Sequence, residues 1–319
     1  MPNLLAHSLV AKRFIITEDE ISPDKSSFIH GNGDYISLGT QGPDPLFYMG
    51  IVPFHALHVP TALKKIGNRI HETDAKKYFS LLIKQSYTIE DYAERSRFQS
   101  FILGQFAHYL LDRETHPYVI YESGFDEDGK LTGKYHYRHA HFEAEIDVSL
   151  ARKNKMNYFL TNPEDVLNTN DERLKLIDRN FVPVLSEMFS EKLPKKMYSN
   201  AVRNMKATIK FMNRHPGFKS RLAGKTSLGA MALPLKEEMG DVLNETRADW
   251  KDPVSGRVRN DSFGDLYNNA FRLLENCYHD IMKHGFHYEV LKRYINGLDY
   301  YGSPLRGKWT HSLEREAKD

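Results

Sequence analysis

The sequence holds one cysteine, Cys277, among 319 residues. No disulfide can form within the chain, and nothing calls for an oxidising compartment. No run approaches the roughly 18 apolar residues that a membrane-spanning helix needs. The first residues, MPNLLAHSLVAKRF, lack the basic stretch and long apolar stretch of a secretory signal. These absences point to the cytoplasm. Charge of one sign is also lacking: the formal net charge is +2, with no evident basic stripe, so no stable nucleic-acid partner is expected. Valine and isoleucine are sparse, and no stretch alternates apolar and polar residues persuasively enough for a strand. Internal repeats and low-complexity segments are missing as well.

What is present fits a folded helical protein. Hydrophobic residues make up 40% and charged residues 27%, and the chain is long enough for a sizeable core. Apolar periodicity predicts helices over residues 4–13, 74–90 (with Asp74 as N-cap), 95–115, 137–152, 172–190, 195–213, 263–285 and 287–297. In the third of these, Phe98, Phe101, Ile102, Phe106, Leu110 and Leu111 recur near helical period, and Pro117 marks its end. Residues 15–48 read as irregular, 122–134 as a polar loop, 153–171 as mixed and 214–263 as loop-rich. No clean linker divides the chain. The expectation is one all-α domain over 1–319, a multi-helix bundle.

Ten of the 15 histidines fall in residues 1–141, and there the chemistry concentrates. In GQFAHYLLDRETHPY (104–118), His108, Asp112 and His116 stand four apart. On a helix each step of four drifts only about 40°, so the three share one edge. Burying them without a partner would be costly, and a metal ion satisfies all three. In YHYRHAHFEAEID (135–147), both His139 with Glu143 and His141 with Glu145 are four apart. Only one pair can face a given point, and the periodicity does not choose between them. In QGPDPLFY, Asp44 lies between prolines that stiffen its turn. His71 closes IGNRIH just before a helix and competes with the His55 and His58 pair of FHALHVP. His7 lies near the N-terminus. A further cluster, Cys277, His279, His284 and His287, matches no structural zinc spacing.

Taken in order, His7, QGPDPLFY, IGNRIH, GQFAHYLLDRETHPYV and HAHFEAEID resemble the bacterial zinc-dependent phospholipase C family, and its shorter, signal-less members most. The motifs span residues 1–147; a weaker echo covers 249–270, and the rest of 148–319 matches only as helical. The resemblance implies an all-α bundle with two to three zinc ions in a cleft. It implies that Asp44, His71, His108 and Asp112 surround one ion. Asp112 would bridge to a second, completed by His7 and the N-terminal backbone at Met1. His116, His139 and Glu143 would hold the third. It also selects His139 and Glu143 over the alternative pair, because a Glu precedes the helix Asp147 by four residues. The secreted members expose an N-terminal tryptophan, where this chain reads Met1-Pro2.

Imidazole and carboxylate ligands suit zinc, and a multinuclear cluster suits phosphodiester hydrolysis. The expected activity is a zinc-dependent phosphodiesterase of phospholipase C type acting on a phospholipid or related phosphodiester. Asp44 is the candidate for the base that orients water. The related zinc nucleases of single-stranded nucleic acid offer one alternative. A zinc-stabilised helical scaffold without turnover is another. An HD-type phosphohydrolase would want adjacent His-Asp, which occurs only at His279-Asp280. With His139 and Glu143 as ligands, His139→Ala should lower bound metal while His141→Ala leaves it intact. Metal analysis of the two purified variants checks this, and the reverse pattern would mean that the other register binds.

Overall fold

The computed structural model describes residues 4–21, 29–49, 63, 65–215, 240–304 and 307–316. They form an all-α, multi-helix fold. Helices run over α1 (Leu4–Ile21), α2 (Gly33–Gly39), α3 (Ile66–His71), α4 (Ala75–Ser86), α5 (Tyr92–Ser123) and α6 (Lys134–Lys153). They continue as α7 (Asn157–Thr161), α8 (Asp171–Phe189), α9 (Met197–Arg214), α10 (Phe263–His284), α11 (Tyr288–Lys292) and α12 (Leu313–Glu316). Short 3₁₀ turns cover Asp44–Tyr48 and Pro163–Val166. The sheet among the described residues is one antiparallel pair, β1 (Trp250–Lys251) with β2 (Val258–Arg259). Among the described residues, no helix is long and apolar enough to cross a membrane.

Helix α5 is the centre. Asp91 caps it by accepting the Glu94 amide at 2.7 Å. From Phe98 to Asp112 every side chain is buried, as expected of a helix packed on all sides. Helices α1, α2, α4, α6 and α10 all lie against it. Asp74 is the N-cap that the sequence predicts, and Ser262 is a further cap. Asp74 accepts the Lys76 amide at 2.9 Å at the start of α4, and Ser262 with Asp265 forms a capping box at the start of α10.

Three expectations need correction. Helix α1 continues to Ile21, and the stretch 15–48 also contains α2 and a 3₁₀ turn. The predicted helix 287–297 stops at Lys292 and gives way to turns. Pro117 does not end α5, which runs six residues further, to Ser123. A proline inside a helix deprives the carbonyl four residues earlier of its partner, here that of Arg113. The 298–304 loop lies directly over that carbonyl. A Cβ on Gly302, whose φ is +67°, would sit 2.4 Å from the Arg113 oxygen and 2.7 Å from Pro117 Cγ. Tertiary packing covers the local defect, which the local sequence could not reveal.

The crossing of α2 over α5 is set by two glycines. A Cβ on Gly104 would fall 2.3 Å from the Ile36 carbonyl oxygen, and one on Gly39 would fall 2.3 Å from that of Phe101. Neither backbone can yield easily, so this approach requires glycine at both positions. Gly104→Ala is therefore expected to destabilise the fold by about 1–3 kcal/mol, opposite in sign to the gain of about 1 kcal/mol from helix propensity alone. Urea denaturation measures the difference, and a raised midpoint would rule out so close a crossing.

Candidate metal centre

The Gly39–Gly104 contact delivers the next residues, Thr40 to Asp44, onto the face of α5 that carries His108. Gly42 turns with φ +56°, and a Cβ there would lie 2.3 Å from the His108 ring. Gln105 Nε2 donates to the Gly42 carbonyl at 3.0 Å, and the Tyr78 hydroxyl donates to Gln105 Oε1 at 2.8 Å. Thus Gly104 and Gln105 of the GQFAH motif act on the Asp44 loop as well as on α5. The first turn of α1 is pinned separately. Its Leu5 and Ala6 amides, unpaired within the helix, donate to the two oxygens of buried Asp147 at 2.8 and 2.9 Å. That fixes His7 one residue later.

The structure brings together all eight described candidates, from five elements. His7, His108 and Asp112 form one group of potential metal ligands. Asp44, His71 and His108 form a second, and His116, His139 and Glu143 a third. Within each group the donor atoms lie within 4.8 Å of one another, and all eight side chains are buried. His108 belongs to two groups. Asp112, a member of the first group, also faces the second, with Oδ1 at 3.2 Å from His7 Nε2 and Oδ2 at 3.0 Å from His108 Nε2 and 3.5 Å from His71 Nε2. Met1, His55 and His58 lie outside the described residues. His141 is partly exposed beside Tyr137 and belongs to none of these groups. Cys277 is fully buried in the core of α10.

Proton positions make these contacts informative. His71, His108 and His116 each place Nδ1 against a backbone carbonyl, of Gly67 at 2.9 Å, Thr40 at 3.0 Å and Tyr300 at 2.6 Å. A carbonyl only accepts, so each Nδ1 must carry the proton. In a neutral ring Nε2 is then a lone pair. Yet these Nε2 atoms face carboxylate oxygens: His108 to Asp112 at 3.0 Å, His71 to Asp44 at 3.4 Å, and His116 to Glu143 at 3.2 Å. Acceptor facing acceptor repels unless a cation lies between them. His108 Nε2 makes no hydrogen bond despite complete burial. The spacing fits a metal: donors about 2.0–2.2 Å from a tetrahedral zinc ion sit about 3.3–3.5 Å apart. A second residue fixing the far nitrogen of each histidine is also the usual arrangement for metal ligands. The donor set therefore fits divalent metal.

Electrostatics agree. His7 stacks on His108 with ring centres 4.0 Å apart, and burial followed by the neighbouring His108 lowers its pKa, which favours the neutral ring. Burial alone would raise the Asp112 carboxyl, but His108 and His116 hold it well below the usual range, so it stays anionic. Without metal, protons must supply the missing charge. Burial disfavours the charged His71 ring, but Asp112 and Asp44 outweigh it and raise its pKa to about 10.

Three residues at the site escaped the sequence reading. Asp147 entered only as a register mark, whereas here it holds α1. Tyr300 supplies the carbonyl for His116, and its fully buried ring lies 5.0 Å from that of His71. Tyr301 packs beside His116 at 5.3 Å. The run DYYGSP carries turn-forming residues, but nothing local places it against α5. Comparison with known protein families, curated proteins and solved structures finds no match for this chain.

Two outcomes test the centre. If Asp112 bridges two ions, as its approaches to His7 and His71 suit, Asp112→Ala should remove more than one metal ion per chain by elemental analysis; loss of one ion or none would end that role. Metal binding should also release protons. His71 has a folded pKa above its unfolded value near 6.5, so its stabilisation of the metal-free protein is complete below about 6.5 and lost as pH rises through about 10. Metal needs the neutral ring and must displace that proton. Calorimetry at pH 7 in two buffers of different ionisation enthalpy should therefore give different apparent heats; equal heats would mean the rings were already neutral.

Proposed function

We propose that the protein is a zinc-dependent phosphodiester hydrolase of phospholipase C type. The observation that carries this reading is the triple convergence of His7, Asp44, His71, His108, Asp112, His116, His139 and Glu143, with the two Asp112 oxygens turned to different neighbours. A single structural ion would need four ligands, not eight residues in three adjoining groups. When bound, zinc ions would polarise the phosphoryl oxygens, lower the pKa of a water and stabilise the leaving alkoxide.

The residues of the chain supply the rest. Asp44 belongs to the second group, on a loop held by Gln105, and is suited to orient the attacking water and accept its proton. The water oxygen attacks phosphorus, the bond from phosphorus to the ester oxygen breaks, and the departing alcohol takes up a proton. Histidines locked through Nδ1 cannot swing during this exchange, which keeps the donors in place and limits reorganisation. On a phospholipid the products would be diacylglycerol and a phosphorylated head group. The near-neutral net charge favours a lipid or small phosphodiester over a nucleic acid.

The almost complete burial of the eight side chains favours a second reading, a metal-stabilised helical scaffold without turnover. A hydrolysis panel at fixed zinc separates the two. The zinc-loaded protein should cleave a chromogenic phosphodiester and phosphatidylcholine, and single-stranded nucleic acid or a phosphomonoester more slowly. Preference for nucleic acid would move the assignment to a nuclease. Inactivity on all four would leave the scaffold.

A further inference from the structure

We propose that Tyr301 is a substrate-contacting residue, whose hydroxyl donates a hydrogen bond to a non-bridging oxygen of a phosphoryl group seated between the histidine groups. The proposal rests on the phosphodiesterase reading above. Tyr301 touches both sides of the centre: its ring lies 5.3 Å from that of His116 and 6.2 Å from that of His71, ligands in different groups. The eight candidate ligands are buried, but Tyr301 is partly exposed. It therefore offers a partly accessible ring beside candidate ligands of both groups. Its neighbour Tyr300 is fully buried.

The side chain is also held in place. The Asp299 carboxylate accepts the backbone amides of Tyr301 and Ser303 at 2.9 and 3.0 Å, and the Asp299 amide closes the loop onto the Ser303 carbonyl at 2.9 Å. Gly302 seats the loop on α5 over Arg113 and Pro117. Trp309 meets the Tyr301 ring edge-on, with centroids 5.4 Å apart. A residue whose backbone and ring are both fixed loses little entropy on binding. A phenol is protonated throughout the neutral range and can donate. A phosphodiester anion offers two charged acceptor oxygens, so the bond would be charge-assisted.

The test uses full-length, zinc-loaded protein and its Tyr301→Phe variant, which keeps the ring and its packing. Inorganic phosphate is the binding probe, titrated calorimetrically, and a chromogenic phosphodiester is the kinetic one. Tyr301→Phe should keep the parent's zinc content and melting temperature. It should bind phosphate about 10- to 100-fold more weakly, the range for a lost hydrogen bond to a charged acceptor, with a similar fall in kcat/KM. Unchanged phosphate affinity in a zinc-replete variant would overturn the proposal. Loss of zinc from Tyr301→Phe would overturn it too, by showing that the hydroxyl supports the ligands instead. A parent protein that binds phosphate but hydrolyses nothing would sink the enzymatic reading while leaving the phosphate comparison to decide the role of Tyr301.

Discussion

Five imidazoles and three carboxylates buried in one helical core create an electrostatic demand that the surrounding structure must meet. A buried carboxylate without a counter-charge is among the costliest features a fold can carry. Here Asp44, Asp112 and Glu143 are each turned toward imidazole nitrogens, and three of the rings have already committed their other proton to a backbone carbonyl. The remaining lone pairs and anions face one another at 3.0–3.4 Å. Only protons or metal ions can make that arrangement favourable. The glycine crossing, the Gln105 bridge, the Asp147 cap on α1 and the loop over Pro117 can all be read as parts that hold this arrangement against its own repulsion.

Rigidity and chemistry are linked through the same contacts. Helix α5 supplies His108, Asp112 and His116, and it is also the hub on which the other helices pack. A ligand displaced by 1 Å would therefore require a shift in the core itself. The carbonyls that fix the histidines come from three separate places: the Asp44 loop at Thr40, α3 at Gly67 and the C-terminal loop at Tyr300. The His71 lock is local to its own helix, while His108 and His116 are fixed by segments far away in sequence. The C-terminal half, which carries no ligand among the described residues, takes part through Tyr300, Tyr301 and the backbone over Arg113.

Much of this was legible locally. Helical periodicity identified the main helices because burial of an apolar face imposes a 3.6-residue repeat on the sequence. The cap at Asp74 follows from the unpaired amides that every helix start exposes. The i, i+4 spacing of His108, Asp112 and His116 named a shared edge because helix geometry alone fixes it. The limits were equally physical. Pro117 looked like a terminator because its effect on its own helix is local, while the packing that offsets it comes from Gly302, 185 residues away. The choice between His139 with Glu143 and His141 with Glu145 could not be made from spacing, since both pairs obey the same repeat.

Composition and helical period specify an all-α protein with a histidine-rich first half and a central helix whose His108, Asp112 and His116 share one edge. The fuller ligand set came from the resemblance to a known family, not from periodicity. Which candidates meet, how Asp112 faces both His7 and His71, how carbonyls of Thr40 and Tyr300 lock His108 and His116, and where Tyr301 lies beside His71 and His116 are properties of the fold. They depend on the relative placement of elements far apart in the chain. That placement is set by close contacts such as Gly39 on Gly104 and Gly302 on Arg113, whose meaning appears only when both partners are in place.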